Sequence, residues 1–317
     1  MVGLEDLKER IHITKKTVEC PLKGCPEKVE RQRQSFKREE RFRCPVHEIY
    51  ISPSTFEYPQ QEDNLLWKQN DDLRLLERIK AVKRESRMAR DNSEDAVTWN
   101  VFRFLERNNL TGGFLDLIGA AVEYPEIIYW SYSQQEDDIW AELEKARKEF
   151  GEAKKRSSEP DIIIKTEKAL VFIEAKLTAT NETSPSDKSN SKKYETGGND
   201  WFKEVFTSDY KTIAIIDQKY ELMRFWLLGT WIAFQMDMNF YLINLILSGK
   251  EEDIEVLFKR HIRESLRRKF LRLTWEDIYQ YIKTKPTSKD NSTMLRYFAT
   301  KSLGYDSNGM LKKAFRT

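Results

Sequence analysis

The alternation of apolar and polar residues over positions 157–178 predicts a β-hairpin. In this segment, SSEPDIIIKTEKALVFIEAKLT, the polar tetrad KTEK separates two runs rich in Ile, Val, Leu and Phe. Because successive side chains on a strand point to opposite faces, Glu174 and Lys176 share the face of the apolar Phe172. Asp161 opens the first strand, and a short turn would bring it alongside Glu174. Two carboxylates and an amine are therefore expected to converge.

Helical and strand patterns on both sides of this hairpin predict an α/β fold. A helix over SEDAVTWNVFRFLERN begins at Ser93 as N-cap, with Glu94 and Asp95 in its first turn, where the helix dipole favours acids. After this helix, EIIYWSYS is predicted as a strand and DDIWAELEKARKEFGEAKK as an amphipathic helix. The hairpin follows, and after it ATNETSPSDKSNSKKYETGGND is predicted as a mobile surface loop, KYELMRFWLLGTWIAF as a buried helix and NFYLINLIL as a strand.

Composition divides the chain into four predicted segments. Residues 1–60 contain all three cysteines and many basic residues, and residues 61–92 contain a charged helical pattern that suits a connecting helix. Residues 93–248 form the α/β core. Residues 249–317 are predicted to be basic and helical, because apolar residues recur at four-residue spacing among Arg and Lys: Ile254, Phe258, Ile262, Leu266 and Phe270.

Charge and hydropathy limit the classes of protein. The formal net charge is only +2 although a third of the residues are charged, so a polyanionic partner must be argued from local charge. No apolar run is long enough to span a membrane, and the first residues lack the apolar region of a secretory signal. We therefore expect a cytoplasmic protein without a membrane partner.

The motif Pro160-Asp161, then twelve residues, then Glu174-Ala175-Lys176 resembles the signature of the PD-(D/E)XK nuclease superfamily. The superfamily includes many restriction endonucleases, and its αβββαβ core is similar to the element order predicted for residues 93–248. The resemblance implies a restriction-endonuclease-like fold and a metal-dependent nuclease.

The resemblance also implies roles for individual residues. Asp161 and Glu174 match the metal-binding carboxylates, Lys176 matches the catalytic lysine, and Glu94 matches an acid on the first helix of many members. The carbonyl of Ala175 is a further candidate ligand. Mg²⁺, or Mn²⁺ in its place, suits such oxygen ligands, lowers the pKa of a bound water and stabilises the charge that develops in phosphodiester hydrolysis.

Two alternatives apply to this site. Glu174 and Lys176 can instead form an ordinary solvated pair on a surface hairpin, although their face also carries Leu170 and Phe172, and buried charges need a partner or a metal. On the first helix, Asp95 is adjacent to Glu94. We favour Glu94 as the helix acid.

The cysteine-containing segment predicts a structural zinc site. Cys20 and Cys25 are followed after eighteen residues by Cys44 and His47, and each pair lies beside Pro or Gly. Three thiolates and one imidazole suit a closed tetrahedral Zn²⁺ site of the zinc-ribbon type, with no open position for catalysis. The alternatives are reduced cysteines in a small core or a redox pair.

The sequence therefore predicts an endonuclease that hydrolyses DNA, in restriction, defence or repair. A non-catalytic, zinc-containing nucleic-acid-binding or adaptor protein on a nuclease-like scaffold is one alternative, and an RNA-directed nuclease is another. The basic segment EKVERQRQSFKREERFR suits contact with DNA phosphates and a solvated surface equally well. The sequence leaves the cleavage specificity and the oligomeric state, including a homodimer, open.

Overall fold

The computed structural model describes residues 6–33, 36–52, 54–83, 87–120, 125–152, 157–187 and 191–317. The strands are β1 Thr17–Glu19, β2 Lys28–Glu30, β3 Tyr50–Ile51, β4 Phe56–Glu57, β5 Glu126–Tyr129, β6 Tyr132–Ser133, β7 Asp138–Ile139, β8 Ile162–Lys165, β9 Ala169–Ala175, β10 Asn239–Ile246, β11 Arg268–Thr274, β12 Ser302–Tyr305 and β13 Leu311–Lys313. The α-helices are α1 Asn70–Val82, α2 Glu94–Arg107, α3 Thr111–Asp116, α4 Ala141–Glu149, α5 Lys192–Val205, α6 Tyr220–Gln235, α7 Ile254–Lys259, α8 Trp275–Lys283 and α9 Lys289–Thr300.

Contacts divide the chain into two compact units. Unit 1 comprises Met1–Gln69, Ser86–Phe104 and Glu276–Thr317, and unit 2 comprises Asn70–Glu85 and Leu105–Trp275. The division of the chain into four segments stays a prediction. In the part of the chain that the structure describes, no helix is long and apolar enough to cross a bilayer.

Unit 2 contains a seven-stranded mixed sheet, which confirms the predicted α/β class. Its strand order is β11-β10-β9-β8-β5-β6-β7. The neighbouring pairs β9–β8, β8–β5, β5–β6 and β6–β7 are antiparallel, whereas β9–β10 and β10–β11 are parallel. The antiparallel β8–β9 pair is the hairpin that the sequence predicts.

Helix α6 and strand β10 form the centre of the unit 2 core. Phe240 of β10 packs edge-to-face on Phe172 of β9, with ring centroids 5.4 Å apart. Gly229 of α6 lies directly over the Phe240 ring, because a Cβ atom on this glycine would come within 2.2 Å of it. This close approach fixes the position of α6 on the sheet.

Unit 1 contains three small antiparallel strand pairs, β1–β2, β3–β4 and β12–β13. Its hydrophobic cluster combines residues of the first sixty positions with Tyr305 of β12, whose hydroxyl donates to the Lys8 carbonyl at 3.0 Å. Within this unit, the C-terminal residues therefore pack with the cysteine-containing segment.

A fully buried ion pair joins distant parts of the unit 1 sequence. Lys301 Nζ lies 3.5 Å from Asp91 Oδ1 and donates to Asn64 Oδ1 at 2.9 Å, and both charged side chains are inaccessible to solvent. Ser302 Oγ donates to the other Asp91 oxygen at 2.6 Å. Burial lowers the pKa of Lys301, and the nearby Asp91 opposes this effect.

We expect Lys301→Ala to destabilise the protein by about 3–5 kcal/mol, because it leaves Asp91 as a buried charge without its ammonium partner. Chemical denaturation measures this loss. The exposed Lys312→Ala of the same unit is the control and should change stability by less than about 0.5 kcal/mol. Equal stability of the two variants would contradict the assigned importance of the pair.

The prediction of a helix from Ile254 to Phe270 is wrong beyond the first turns. Helix α7 ends at Lys259, and β11 begins at Arg268. Leu266, one member of the four-residue stripe, is 92% exposed. The open edge of β10 offers a ladder of backbone hydrogen bonds, and this tertiary pairing overrides the helical spacing. The C-terminal region is therefore mixed, with strands as well as helices.

Two other local predictions need correction. The segment EIIYWSYS is two strands, β5 and β6, because the chain reverses at Trp130 and Ser131, both with positive φ. The predicted mobile loop ends in α5, whose backbone is interrupted from Gly197 to Asp200. Residues 188–190 of that predicted loop lie outside the described residues.

Candidate metal and active sites

The β8–β9 hairpin brings Asp161 and Ala175 together. Ile162 pairs with Ile173, so Asp161, which immediately precedes β8, lies at the level where β9 ends. The Ala175 N–H donates to Asp161 Oδ2 at 2.9 Å. The alignment of Asp161 with the Glu-Ala-Lys segment is therefore present in unit 2, as the turn length predicts.

Trp130 holds the other side of Asp161. Its indole Nε1–H donates to Asp161 Oδ1 at 3.0 Å, and its backbone N–H donates to the Asp161 carbonyl at 3.1 Å. Trp130 is buried and has φ of 44°, a conformation that a bulky residue rarely adopts. Both carboxylate oxygens thus receive a hydrogen bond, which fixes their orientation and leaves lone pairs on each oxygen.

Glu174 and Lys176 lie close together at the end of β9. Both side chains are buried, with relative exposures of 3% and 8%, and Lys176 Nζ donates to Glu174 Oε1. The same ammonium lies 3.3 Å from Glu221 Oε2, and the Glu221 N–H donates to Thr183 Oγ1 at 2.9 Å. The interpretation as a solvated surface pair is therefore wrong, because both side chains are almost inaccessible to solvent.

Burial and neighbouring carboxylates together determine the electrostatics of the cluster. Burial raises the pKa of Glu174 well above its ordinary value of 4.5, and the charges of Glu221 and Asp161 raise this pKa further, while Lys176 lowers it. Three carboxylates therefore act on one ammonium. A divalent cation would reduce their mutual repulsion, and the site offers the oxygen donors that such a cation prefers.

We expect this arrangement to make stability depend on pH. A carboxyl whose pKa is raised in the folded state contributes stability that is present below its unfolded-state pKa and is lost as pH rises through the folded pKa. Glu174→Gln removes that loss, so the variant should be the more stable protein at alkaline pH in the absence of added divalent cations.

Chemical denaturation over a pH series measures this effect. The exposed Glu167→Gln in the turn of the same hairpin is the matched control and should follow the wild type at every pH. If the difference in unfolding free energy between wild type and Glu174→Gln stays constant from acidic to alkaline pH, the raised pKa is contradicted.

The predicted helix acid lies in the first turn of α2. Glu94 is the first residue of this helix, and Ser93 caps it by accepting the Ala96 N–H at 3.1 Å. Asp95 Oδ2 accepts the Arg87 N–H at 3.3 Å. Both acids belong to unit 1, whereas Asp161, Glu174 and Lys176 belong to unit 2. The catalytic role of Glu94 stays a prediction.

The four predicted zinc ligands form one cluster. Their ligand atoms all lie within 4.8 Å of one another, with the three cysteines buried and unpaired by disulfides: Cys20, Cys25, Cys44 and His47. The Cys25 and Cys44 sulfurs are 3.8 Å apart, and His47 Nδ1 is 3.7 Å from the sulfurs of Cys20 and Cys44. In a tetrahedral zinc site with Zn–S of about 2.3 Å, neighbouring sulfurs lie about 3.8 Å apart.

Small strand pairs hold this cluster. Cys20 and Cys25 lie in the connection between β1 and β2, and Cys44 and His47 lie just before β3. The Cys44 N–H donates to the Ile49 carbonyl at 2.8 Å, which closes the second turn. Each pair of ligands is thus presented by a tight turn, and the cluster could bind zinc.

Trp130 and Glu221, which contact the hairpin residues, have no clear signal in the sequence. Glu221 follows Lys176 by 45 positions, and only the packing of α6 on the sheet brings it to the ammonium. Trp130 lies in a segment predicted as continuous strand, so its role beside Asp161 depends on an unpredicted turn. An acid in the first turn of a buried helix is a weak signal, and nothing in the sequence specifies its partner.

The chain belongs to a restriction-endonuclease-like family. The family model described as "Restriction Endonuclease associating with ARP" matches residues 27–301, which is most of the chain and contains the hairpin acids as well as Cys44 and His47. No curated protein and no solved structure gave a match. Family membership suggests a nuclease-like function and implies a nucleic-acid substrate.

Proposed function

We propose that this protein is a magnesium-dependent endonuclease of the PD-(D/E)XK type that hydrolyses DNA phosphodiester bonds. The observation that carries the proposal is the cluster of the partly buried Asp161 with the buried Glu174 and Lys176 on one hairpin, in a chain of a restriction-endonuclease-like family. The mixed sheet, with an antiparallel hairpin beside a parallel strand, supports an αβββαβ core.

The donor set fits a hard divalent cation. Asp161 and Glu174 would hold Mg²⁺ through their carboxylates, with the Ala175 carbonyl as a further ligand. When bound, Mg²⁺ stabilises the negative charge on the phosphoryl group and lowers the pKa of a coordinated water. The raised pKa of Glu174, which burial causes first and the charges of Glu221 and Asp161 increase, supports this assignment, because a bound cation would favour the ionised carboxylate.

The side chains of unit 2 supply the remaining chemistry. Trp130 and the Ala175 N–H keep the Asp161 carboxylate in one orientation, so little reorganisation is needed during reaction. Lys176 Nζ can orient the attacking water or stabilise the developing charge on the phosphate. Glu221 and Glu174 flank this ammonium and position it.

The zinc-binding residues support a separate, structural role. A Cys₃His set has four protein ligands and no open position for a substrate, so it suits a zinc ribbon that stabilises unit 1. In this proposal unit 1 contributes to nucleic-acid binding, and unit 2 contributes the hairpin carboxylates and the lysine.

Incubation with a panel of substrates tests the proposed function. Purified protein with its zinc is mixed with plasmid, linear duplex, single-stranded DNA and RNA, each with and without Mg²⁺. We expect metal-dependent cleavage within plasmid DNA. Cleavage of RNA alone would assign the enzyme to the RNA-directed alternative, and no cleavage of any substrate would favour a non-catalytic binding protein.

A further inference from the structure

Unit 1 contains a polar cavity of about 550 Å³ whose lining includes none of the zinc-cluster residues. It lies within a single unit, and its size is typical of sites that hold a nucleotide-sized ligand. The residues that line it are basic or polar except for one aromatic: Lys15, Arg31, Gln32, Arg33, Phe36, Ser52, Ser54, Thr55, Arg90 and Asn92.

The lining is rich in positive charge and contains no carboxylate among the described residues. Arg31 donates to the Thr14 carbonyl at 3.0 Å and Arg33 donates to the Lys15 carbonyl at 2.9 Å, so both guanidinium groups are positioned by neutral acceptors. The described residues place no carboxylate within ion-pair distance of Lys15, Arg31 or Arg33. Such groups keep their capacity to neutralise an anion.

The cavity also has a rigid polar wall. Gln32 is buried, and its amide bonds to the Lys37 N–H at 2.6 Å and to the Ile51 carbonyl at 3.2 Å. Thr55 Oγ1 donates to Asn92 Oδ1 at 3.2 Å. The bonds to Ile51 and Asn92 join residues 19 and 37 positions apart in sequence, so the basic side chains are held on a preformed framework, which lowers the entropy cost of binding.

An aromatic ring completes the lining. The Arg90 guanidinium lies 4.8 Å from the Phe36 ring centroid, and Arg90 Nε also lies 3.4 Å from a Glu57 oxygen. A base can stack on an aromatic or guanidinium plane irrespective of its identity. Basic groups for phosphate and a planar group for a base are thus present in one cavity.

We propose that this cavity binds a phosphate-bearing nucleotide unit of a nucleic-acid strand. Lys15, Arg31 and Arg33 contact the phosphate oxygens, because guanidinium groups match phosphate geometry and ammonium groups act as point charges. Phe36 and Arg90 provide the stacking surface. The inference rests on the proposed nucleic-acid substrate and assigns part of its binding to unit 1.

The test compares two double variants with the same change in charge. Lys15→Gln/Arg33→Gln removes two exposed basic groups of the cavity, and Lys312→Gln/Arg316→Gln removes one exposed lysine and one exposed arginine of the same unit outside its lining. Fluorescence anisotropy of labelled single-stranded and duplex DNA is measured over a range of salt concentrations, without added Mg²⁺. Zinc content and melting temperature establish that each variant is folded.

The cavity variant should bind DNA at least about tenfold more weakly, because two charge-assisted contacts are lost. The slope of log affinity against log salt should also fall by about 0.7–0.9 for each phosphate contact removed. The control variant should keep most of the affinity. The single variants Lys15→Gln and Arg33→Gln should give intermediate losses, which keeps the test decisive if the double variant does not fold.

Equal losses in the two double variants, or an unchanged affinity in the cavity variant, would overturn the proposal. Competition by inorganic phosphate, a free mononucleotide and an acidic peptide separates other ligands. The proposal would also be overturned if the cavity variant keeps its DNA affinity but no longer binds a mononucleotide or the peptide that the wild type binds.

Cleavage assays separate this inference from the proposed function. Loss of DNA affinity in the cavity variant of a protein that never cleaves would support the binding site and remove the nuclease assignment. Normal cleavage by a cavity variant with unchanged DNA affinity would support the nuclease assignment and overturn the proposed binding site.

Discussion

Asp161→Asn, Glu174→Gln and Lys176→Gln should each reduce metal-dependent cleavage by about 10²–10⁴-fold, because each removes a metal ligand or a group that acts on the attacking water. The substitutions are close in size to the original side chains, and nucleic-acid affinity should change far less than the rate. Single-turnover cleavage of plasmid DNA, with binding measured separately, distinguishes the two effects.

The same hairpin offers matched controls. Glu167→Gln and Lys168→Gln alter exposed charges in its turn, and both should keep the wild-type rate. Full activity in any of the three site variants would refute the assignment of that residue. On α2, Glu94→Gln should cause a large loss and Asp95→Asn a smaller one, and the reverse order would show that the helix acid is Asp95.

Cys44→Ser should abolish stoichiometric zinc binding and loosen the cysteine-containing part of unit 1. The wild type should contain about one zinc per chain, as a single tetrahedral site requires. Apparent binding energies of structural zinc are about 10–16 kcal/mol in small modules, so loss of the ion removes a dominant stabilising contribution. Elemental analysis measures the zinc, and limited proteolysis with mass spectrometry locates the loosened segment.

The sheet of unit 2 should stay folded in this variant, and substrate binding should suffer more than the chemical step. Val46→Ser, at an exposed position between Cys44 and His47, is the control and should retain zinc and protease resistance. A wild-type protein without zinc, or a Cys44→Ser variant with an unchanged proteolytic pattern, would refute the zinc site and leave the nuclease proposal intact.

Local sequence signals specify the hairpin and the zinc cluster because their partners are close along the chain or share one chemistry. Asp161 meets Ala175 through a short turn, and that register follows from the number of residues between the two strands. Cysteine and histidine pairs on turns have few other uses in a reduced protein. The α/β class follows from alternating helical and strand patterns.

Features that depend on distant packing could not be predicted in the same way. Glu221 reaches Lys176 only because α6 packs on the sheet, and β11 forms only because the edge of β10 is open. The stripe through Leu266 has correct helical spacing, but the sheet edge competes for the same residues. Trp130 takes a positive φ that no propensity favours, and its bonds to Asp161 hold it there.

In the proposed mechanism, the carboxylates of the β8–β9 hairpin hold a divalent cation that DNA cleavage requires. The most direct test of this mechanism is the rate of plasmid cleavage by zinc-loaded wild type and Glu174→Gln, measured before Mg²⁺ removal, after removal and after Mg²⁺ is added back. We predict that cleavage by the wild type stops on removal and returns on addition, with unchanged zinc content, while the variant stays inactive throughout. Cleavage that persists without Mg²⁺, or that Glu174→Gln performs at the wild-type rate, would contradict this mechanism.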